Sequence, residues 1–484
     1  MADGGTAKKA KGAPRRATTK KGGGKKTDRP VVSELAPRVE AFRELARRVA
    51  AGEPVMRPGQ LHGLDRHLHV RDTIIEDHAT RIASAAQGAR EKFDKLAGSR
   101  FAFFRGTSLL FHRDMAGEDA RMPTVLLLGD VHPGNFGIMP NADNVPIFGV
   151  NDFDDVAYGP FTWDLKRGAV GFMLAAEEMG GHKRKRSRKI ARCFVAGYLG
   201  AMRRYAARGT EDDEELRADN SPKIIRALFE EARKPRAEWL SDRYLDETGR
   251  GFRANEELTP VSRRVPEFQE QIDRLAQGER VARSRRAEGL TVKDVAIRHG
   301  QGTASLGLPR YYVLLEGPSG DATDDLIVEF KKARRSALEG LAPSGPFDAG
   351  ETGDRIAHGQ SVHLAQGDVF YGAAELDGES FMTRERAPFR EDMDLDDLSK
   401  KGWKAYARVC GRALALAHAR SDEVGQIDYD VEPRILEAVG PEALFIDDIL
   451  DFAVAACERL ARDHEAFRRD HARGAFEDMN RSYR

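Results

Sequence analysis

The sequence has no long hydrophobic run and very few cysteines. No stretch approaches the roughly 18 consecutive apolar residues that a membrane-spanning helix needs, so a helical membrane protein is excluded. Cys193, Cys410 and Cys457 are far apart in the chain, so neither a disulfide framework nor a zinc site with paired cysteines is expected. The start of the chain also lacks the apolar core of a secretory signal. These absences together indicate a cytoplasmic protein.

What is present is the composition of a soluble globular protein. The chain has 484 residues, of which 40% are hydrophobic and 32% are charged. At about 100 to 200 residues per domain, this length allows about two to four domains.

Lysine and arginine balance aspartate and glutamate over the whole chain, but residues 1–30 hold ten Lys or Arg against two Asp. This segment has almost nothing to bury, so we expect a disordered basic tail. The tail is either a weak tether to nucleic acid or another acidic surface, or a solubilising leader.

Patterns along the rest of the chain predict helices separated by one strand-rich region. Helical spacing dominates residues 31–98, and residues 125–128 form the first convincing strand. Residues 164–287 are expected to be all-helical. Residues 295–298, 311–315 and 326–330 are predicted strands, and residues 403–420 and 443–473 are predicted helices.

The segment with the most chemical information begins at the first strand. That strand delivers Asp130 to a Pro/Gly loop, Asn135 lies five residues on, and a hairpin turning at residues 141–144 returns the chain to Asp152. Phosphoryl transfer from ATP needs a base for the hydroxyl proton and oxygen ligands for magnesium, and the Asp-to-Asn spacing equals that of the kinase catalytic loop. As isolated residues, the three would be read as turn formers.

The run from Gly129 to Asn135, followed by residues 151–165 with Asn-Asp-Phe-Asp-Asp and Gly-Pro-Phe-Thr-Trp-Asp-Leu, resembles the aminoglycoside phosphotransferase and choline kinase branch of the protein-kinase-like superfamily. The resemblance implies Asp130 as catalytic base, Asn135 and Asp152 as magnesium ligands, and Asp164 as an anchor for the next helix. Leu128 replaces the histidine that often stands two residues before the base.

Two further acids follow Asp152. Asp154 and Asp155 either hold a second metal ion or lie in a solvated loop, and Asp154 is the predicted additional ligand.

The remaining parts of a kinase follow in rotated order. The resemblance implies a phosphate-binding loop with Gly300, Gly302 and Ser305, then a strand whose Lys331 binds ATP phosphates. Lys332 is the alternative lysine. A hinge follows, with Glu385 and Arg386 at the nucleotide, and then residues 413–419, which match the helix that normally runs directly into the catalytic loop. His358 stands where the glutamate partner of the lysine is expected.

A circular permutation explains this order. The permuted arrangement, with the Phe-Ala-Phe-Phe-Arg-Gly segment at residues 101–106, resembles a large bacterial family of kinase-like proteins of unassigned function. The implied fold is α+β and two-lobed, with a mostly helical large lobe and a small β-rich lobe. Its expected parts are a tail (1–30), large-lobe helices (31–124), the catalytic and metal loops with a helical subdomain (125–290), the small lobe (291–395) and C-terminal helices (396–484).

Each of three further features, Arg105, His132 and residues 182–189, has two possible interpretations. Arg105 either clamps a substrate anion or packs on core aromatics. His132 is read as a loop-packing residue rather than a ligand. Residues 182–189, rich in Lys and Arg, are read as a solvated helix start rather than a binding surface.

The expected function is therefore an ATP- and magnesium-dependent phosphotransferase that acts on a hydroxyl of an unidentified small molecule or protein. The alternatives are a nucleotide-binding pseudokinase or scaffold, which the His358 replacement favours, and transfer of AMP from the same site. A metallophosphoesterase would need a later Gly-Asn-His segment, and the chain has no Asn-His pair.

Overall fold

The structure is a computed structural model that describes residues 1, 36–84, 86–282, 284, 290–299, 308–341, 352–364, 367–389, 391–422 and 426–477. The predicted basic tail, apart from Met1, lies outside these residues, as does the predicted glycine loop with Gly300, Gly302 and Ser305. None of the helices in the described ranges is long and apolar enough to cross a membrane.

The described chain is a mixed α+β structure that is mostly helical. The helices are α1 (Ala36–Ala50), α2 (Gly63–Asp77), α3 (Ala79–Ser84), α4 (Ala86–Gly98), α5 (Arg100–Gly106), α6 (Ser108–Asp114), α7 (Thr162–Glu178), α8 (Arg184–Arg208), α9 (Lys223–Glu231), α10 (Arg236–Arg243), α11 (Val265–Ala276), α12 (Glu279–Ala282), α13 (Gly353–His363), α14 (Lys400–Ala419), α15 (Val431–Val439) and α16 (Glu442–Ala472). The strands are β1 (Thr124–Leu127), β2 (Phe136–Pro140), β3 (Pro146–Val150), β4 (Ala157–Pro160), β5 (Leu258–Pro260), β6 (Val292–Arg298), β7 (Arg310–Leu315), β8 (Leu326–Lys332), β9 (Gly372–Leu376) and β10 (Glu379–Glu385).

The largest sheet is antiparallel and has six strands in the order β5-β6-β7-β8-β10-β9. Helix α13 lies between β8 and β9 in sequence. Both faces of the sheet are covered. On one face Phe268 of α11 packs against Tyr311 and Phe330, and on the other Trp239 of α10 belongs to a buried cluster with Tyr312.

The helical body carries two smaller antiparallel pairs, β1 with β4 and the hairpin β2–β3. Its core is formed by α7, α8 and α14 and includes the fully buried Trp163 and Trp403. Helices α8 and α14 cross very closely, because an added Cβ at Gly411 would overlap the carbonyl oxygen of Phe194 and one at Gly197 would overlap that of Arg408. The glycines are therefore required by backbone-to-backbone packing.

Most predicted elements are confirmed to within a few residues, including the three central strands β6 to β8, the hairpin β2–β3 and helix α14. The prediction of an all-helical segment at residues 164–287 is wrong at Leu258–Pro260, which forms strand β5 and pairs with β6. The strand has three residues and contains a proline, so its sequence carries almost no alternating pattern. These residues adopt the strand conformation because they pair with β6.

We predict that Gly411→Ala lowers the free energy of unfolding by about 1–3 kcal/mol, the usual cost of inserting a methyl group where no space exists. The matched control is Gly200→Ala on α8, where the nearest atom to an added Cβ is a flexible arginine nitrogen at 3.9 Å. The control variant should leave the free energy of unfolding unchanged or raise it by up to about 1 kcal/mol, because alanine has a higher helix propensity than glycine. Urea unfolding followed by circular dichroism measures both, and equal effects would contradict the close crossing.

Candidate active site

Asp130 lies just beyond β1, in a loop whose path depends on one glycine. Gly129 has φ +82°, a region that L side chains rarely adopt, and an added Cβ there would overlap the carbonyl oxygen of Asp155. The loop that carries Asp130 therefore packs directly on the loop that carries Asp155. A side chain at position 129 would separate the two.

A buried carboxylate, that of Asp164, also holds this turn through hydrogen bonds to its backbone. Asp164, on the first turn of α7, accepts hydrogen bonds from the backbone N–H groups of Leu128 at 2.7 Å and Gly129 at 3.0 Å. Its Oδ2 also lies 3.1 Å from Nε2 of His418 on α14, and the hydroxyl of Tyr198 lies 2.9 Å from the other ring nitrogen. Asp164 thus joins the end of β1, helix α7 and helix α14.

The carboxylate of Asp130 is paired with a buried arginine. Arg167, one turn after Asp164 on α7, donates from Nε and Nη2 to Oδ1 of Asp130 at 2.9 and 2.6 Å. The guanidinium is fully buried, lies over the ring of Phe104 at 4.2 Å, and donates to the carbonyl oxygen of Phe104 at 3.1 Å. Both bonds go to one oxygen, which leaves Oδ2 of Asp130 free of Arg167.

Asn135 lies against the same loop. Its side-chain Nδ2 donates to the backbone carbonyl oxygen of Asp130 at 2.7 Å. Its backbone carbonyl oxygen accepts from the N–H of Asn151 at 3.2 Å. The amide is oriented so that Oδ1 accepts no hydrogen bond from any described residue. Asn135 therefore couples the loop of Asp130 to the start of the loop that carries Asp152.

Asp152 and Asp154 meet Lys331 of strand β8. The ammonium of Lys331 lies 2.7 Å from Oδ2 of Asp154 and 3.7 Å from Oδ1 of Asp152. Asp154 is buried, whereas a third of the Asp152 side chain is exposed. Burial alone would raise the pKa of Asp154, but Lys331 and Arg334 hold it well below its usual range. Burial and the nearby Asp154 raise the pKa of Asp152, against the opposing effect of Lys331.

Asp155 binds the chain segment that follows β8. It accepts from the N–H of Ala337 at 3.0 Å and from Arg334 at 3.1 Å, and it is almost completely buried. The alternative of a solvated loop is therefore wrong for both Asp154 and Asp155. Asp154 accepts from Lys331 of β8, and Asp155 accepts from the segment that follows this strand.

The other predicted nucleotide-site residues are placed around strand β10 and helix α13. Lys332 faces away from the loop of Asp152 and pairs with Glu379 at 2.8 Å. His358 lies 2.9 Å from the hydroxyl of Tyr158.

Glu385 of the predicted hinge is buried, and its carboxylate accepts a hydrogen bond from Arg236 at 2.7 Å. The backbone N–H of Arg386 donates to the carbonyl oxygen of Ile327 at 2.7 Å, directly after β10 ends.

Arg105 and His132 lie next to Asp130. Arg105 donates from Nε to Nε2 of His132 at 3.1 Å and lies over the ring of Phe101 at 5.7 Å. His132 is buried, and its Nε2 is 3.7 Å from Oδ2 of Asp130. Burial and the neighbouring Arg105 and Arg167 keep the pKa of His132 well below its usual value. His132 is therefore a neutral loop-packing residue, as predicted, and Arg105 packs on an aromatic ring while facing this histidine.

The basic run at residues 182–189 begins α8 and forms ion pairs with other helices. Arg184 pairs with Glu177 at 2.6 Å and Arg188 with Asp451 at 2.5 Å. Several of its side chains are exposed, in agreement with a solvated helix start.

Sequence reasoning missed Arg167 and the Lys331–Asp154 pair. Arg167 stands three residues after Asp164, so the helical spacing already places the two on one face of α7. An arginine on the otherwise apolar face of a buried helix was the signal for a charged partner. Nothing in the sequence indicated that Asp154 would pair with a lysine 177 residues further along the chain.

A scan against family models matches residues 85–470 to a family described as an uncharacterized protein conserved in bacteria (DUF2252). This match spans well over half of the chain, so the protein belongs to that family. Neither the comparison with curated proteins nor the comparison with solved structures finds a match.

We predict that Asp164→Ala lowers the free energy of unfolding by about 2–5 kcal/mol, because it leaves two buried backbone N–H groups and His418 without their acceptor. The control is Asp447→Ala on α16, whose partners Arg188 and Arg192 are partly exposed, so this variant should lose about 1 kcal/mol or less in the free energy of unfolding. Chemical denaturation measures both variants. Equal losses would show that Asp164 is not an anchor.

Proposed function

We propose that this protein is an ATP- and magnesium-dependent phosphotransferase with a two-lobed, circularly permuted kinase-like fold. The observation that carries the proposal is the meeting of Lys331 from the six-stranded sheet with Asp152 and Asp154 from the helical body, beside the loop of Asp130 and Asn135. Kinase chemistry needs these parts together: a strand lysine for the phosphates, a metal aspartate and asparagine, and a base for the hydroxyl.

The topology supports the permuted fold. Helix α14, which matches the helix that normally runs into the catalytic loop, ends beside β1. Just after α14, the Ser421 hydroxyl accepts from the N–H of Leu126 at 3.0 Å, and Tyr429 contacts both backbone groups of Thr124. The end of α14 and the start of β1 are thus neighbours in space, although they are far apart in sequence. A chain cut between them explains the rotated order of the motifs.

The residues present fit a magnesium ion. Asn135, Asp152 and Asp154 offer carboxylate and amide oxygens, which are the ligands that magnesium prefers. Oδ1 of Asp154 is buried and has no hydrogen-bond partner within the described ranges, as expected of an atom reserved for a ligand. These three residues would hold the ion, which would supply positive charge to stabilise the phosphate oxygens during transfer.

Each protein group then has a separate task. Lys331 neutralises phosphate charge, and Asp130 accepts the proton of the acceptor hydroxyl at its free Oδ2. Arg167 positions Asp130 through the other oxygen. The rings of Phe104 and Phe111 pack on its guanidinium, at 4.2 and 4.9 Å, and hold it in place.

The alternative hypothesis is a pseudokinase, because His358 replaces the glutamate expected to pair with Lys331. The Lys331–Asp154 pair supports activity, since it supplies the carboxylate that α13 does not. Arg384 of β10 adds a second link between the sheet and this loop by donating to the carbonyl oxygen of Asn151 at 3.2 Å.

We predict that Asp152→Asn removes the magnesium-dependent part of the stabilisation by ATP. Ligand at 100 times its Kd stabilises a folded protein by about 2.7 kcal/mol, so the wild-type shift in melting temperature should be readily measured. Loss of the charge at position 152 weakens the hold on the ion. The matched control is Asp143→Asn, at the exposed tip of the β2–β3 hairpin. An unchanged magnesium-dependent shift in Asp152→Asn would refute the metal assignment.

We predict that Asp130→Asn keeps ATP affinity and reduces phosphoryl transfer by about 100- to 10,000-fold, the usual contribution of a general base. Asparagine retains the oxygen that accepts both Arg167 bonds, so the loop should keep its shape. The measurement follows label from γ-labelled ATP into autophosphorylated protein or into metabolite and protein pools. Transfer from α-labelled ATP instead would indicate AMP transfer. A wild-type protein that binds Mg-ATP but labels nothing would favour the pseudokinase.

A further inference from the structure

Three carboxylates meet where helix α15 begins. Asp422 follows the end of α14, Asp430 directly precedes α15, and Glu432 lies in the first turn of α15. One side-chain oxygen from each of the three lies within 4.8 Å of the other two. Calcium binds its oxygen ligands at about 2.3–2.6 Å, so two oxygens on one calcium ion lie up to about 5 Å apart. The spacing of the three carboxylates therefore fits one shared ion.

The side chain of Glu432 indicates a ligand independently of this spacing. Glu432 is 3% exposed, and its Oε1 is buried and has no hydrogen-bond partner within the described ranges. A buried carboxylate oxygen without a partner is costly. Burial raises the pKa of Glu432 to about 8, and the hydrogen bond with Asp430 acts in the same direction. The described residues therefore do not supply what would stabilise the charge of this carboxylate.

Helix capping and ion pairs leave most of the oxygens in this cluster unused. Oδ2 of Asp422 accepts from the N–H of Val431, the first residue of α15, at 2.8 Å. Asp430 occupies the N-cap position, where aspartate usually accepts from a helix N–H, but it makes no such bond. Within the described ranges, no lysine or arginine forms an ion pair with any of the three acids. Arg420 and Arg434, the nearest in sequence, are bonded to other groups.

The type of ligand selects the class of metal. All three side chains offer carboxylate oxygens, which hard cations such as calcium and magnesium prefer, whereas zinc and copper sites usually contain histidine or cysteine. Magnesium is usually held by one or two carboxylates and keeps several waters, but calcium accepts six to eight oxygens in flexible geometry. Three carboxylates at one point therefore favour calcium.

We propose that Asp422, Asp430 and Glu432 bind a calcium ion, with water completing its coordination. This site uses none of the residues of the proposed magnesium site, and it does not rest on the proposed function.

The neighbours of two of these ligands hold strand β1. Ser421, next to Asp422, accepts from the N–H of Leu126 at 3.0 Å. Tyr429, next to Asp430, bonds to both backbone groups of Thr124, the first residue of the strand. A bound ion would fix the segments that make both contacts. Calcium should therefore stabilise the folded protein and raise its melting temperature.

The test titrates calcium chloride into chelator-treated protein by calorimetry, without nucleotide. Wild-type protein should bind calcium, and Glu432→Gln should weaken binding by about tenfold or more, since it removes one ligand charge. The matched control is Asp428→Asn, because Asp428 is exposed in the same segment and lies outside the cluster, and this variant should bind calcium as wild type does. If Glu432→Gln does not fold, the exposed Asp430→Asn should weaken calcium binding in its place.

A repeat of the titration in the Asp152→Asn variant separates this site from the proposed magnesium site. Unchanged calcium binding supports the site at Glu432, whereas loss of binding overturns it and assigns the ion to Asp152. Tighter binding of magnesium than of calcium, measured by competition, overturns the choice of metal. Absence of calcium binding in wild type, or equal binding in Glu432→Gln, overturns the site altogether. None of these results depends on ATP or on catalysis, so the phosphotransferase proposal is tested separately.

Discussion

The carboxylate of Asp164 is the contact on which the geometry of the site depends. It is completely buried, and it accepts from two consecutive backbone N–H groups at the point where β1 ends. The positive φ of Gly129 leaves those groups without a strand partner, so the turn exists only with a side-chain acceptor beneath it. His418 places α14 against the same carboxylate. Strand, loop and two helices thus share one polar centre inside an apolar core.

The charged groups around Asp130 and Asp152 are arranged as pairs that hold separate chain segments together. Arg167 fixes Asp130 to α7, Lys331 fixes the loop of Asp154 to the sheet, and Arg334 fixes Asp155 to the segment after β8. Breaking a buried pair by removing one partner leaves an uncompensated charge, so each pair constrains its loop strongly.

The sequence predicts local features well and long-range pairings poorly. The strand–loop–hairpin around Asp130 and Asn135 follows from apolar runs and turn residues, and these elements form as expected. The role of Asp164 as an anchor was implied by the family resemblance of the segment that carries it. The partners of Asp154 and Asp130, in contrast, come from residues 331 and 167, which only the tertiary fold brings near. Strand β5 shows the same limit, since three residues containing a proline become a strand only because β6 offers them an edge.

Under the proposed function, the replacement of the expected glutamate by His358 changes which element pairs with Lys331. In the kinase arrangement the lysine pairs with a helix glutamate, so movement of that helix can switch the site. Here Lys331 pairs with Asp154, two residues from Asp152, and His358 instead faces Tyr158 of strand β4. Lys331 and Asp152 are therefore coupled through a single loop. If the proposed function holds, the position of this loop, rather than that of α13, sets the distance between the phosphate-binding lysine and the metal ligands.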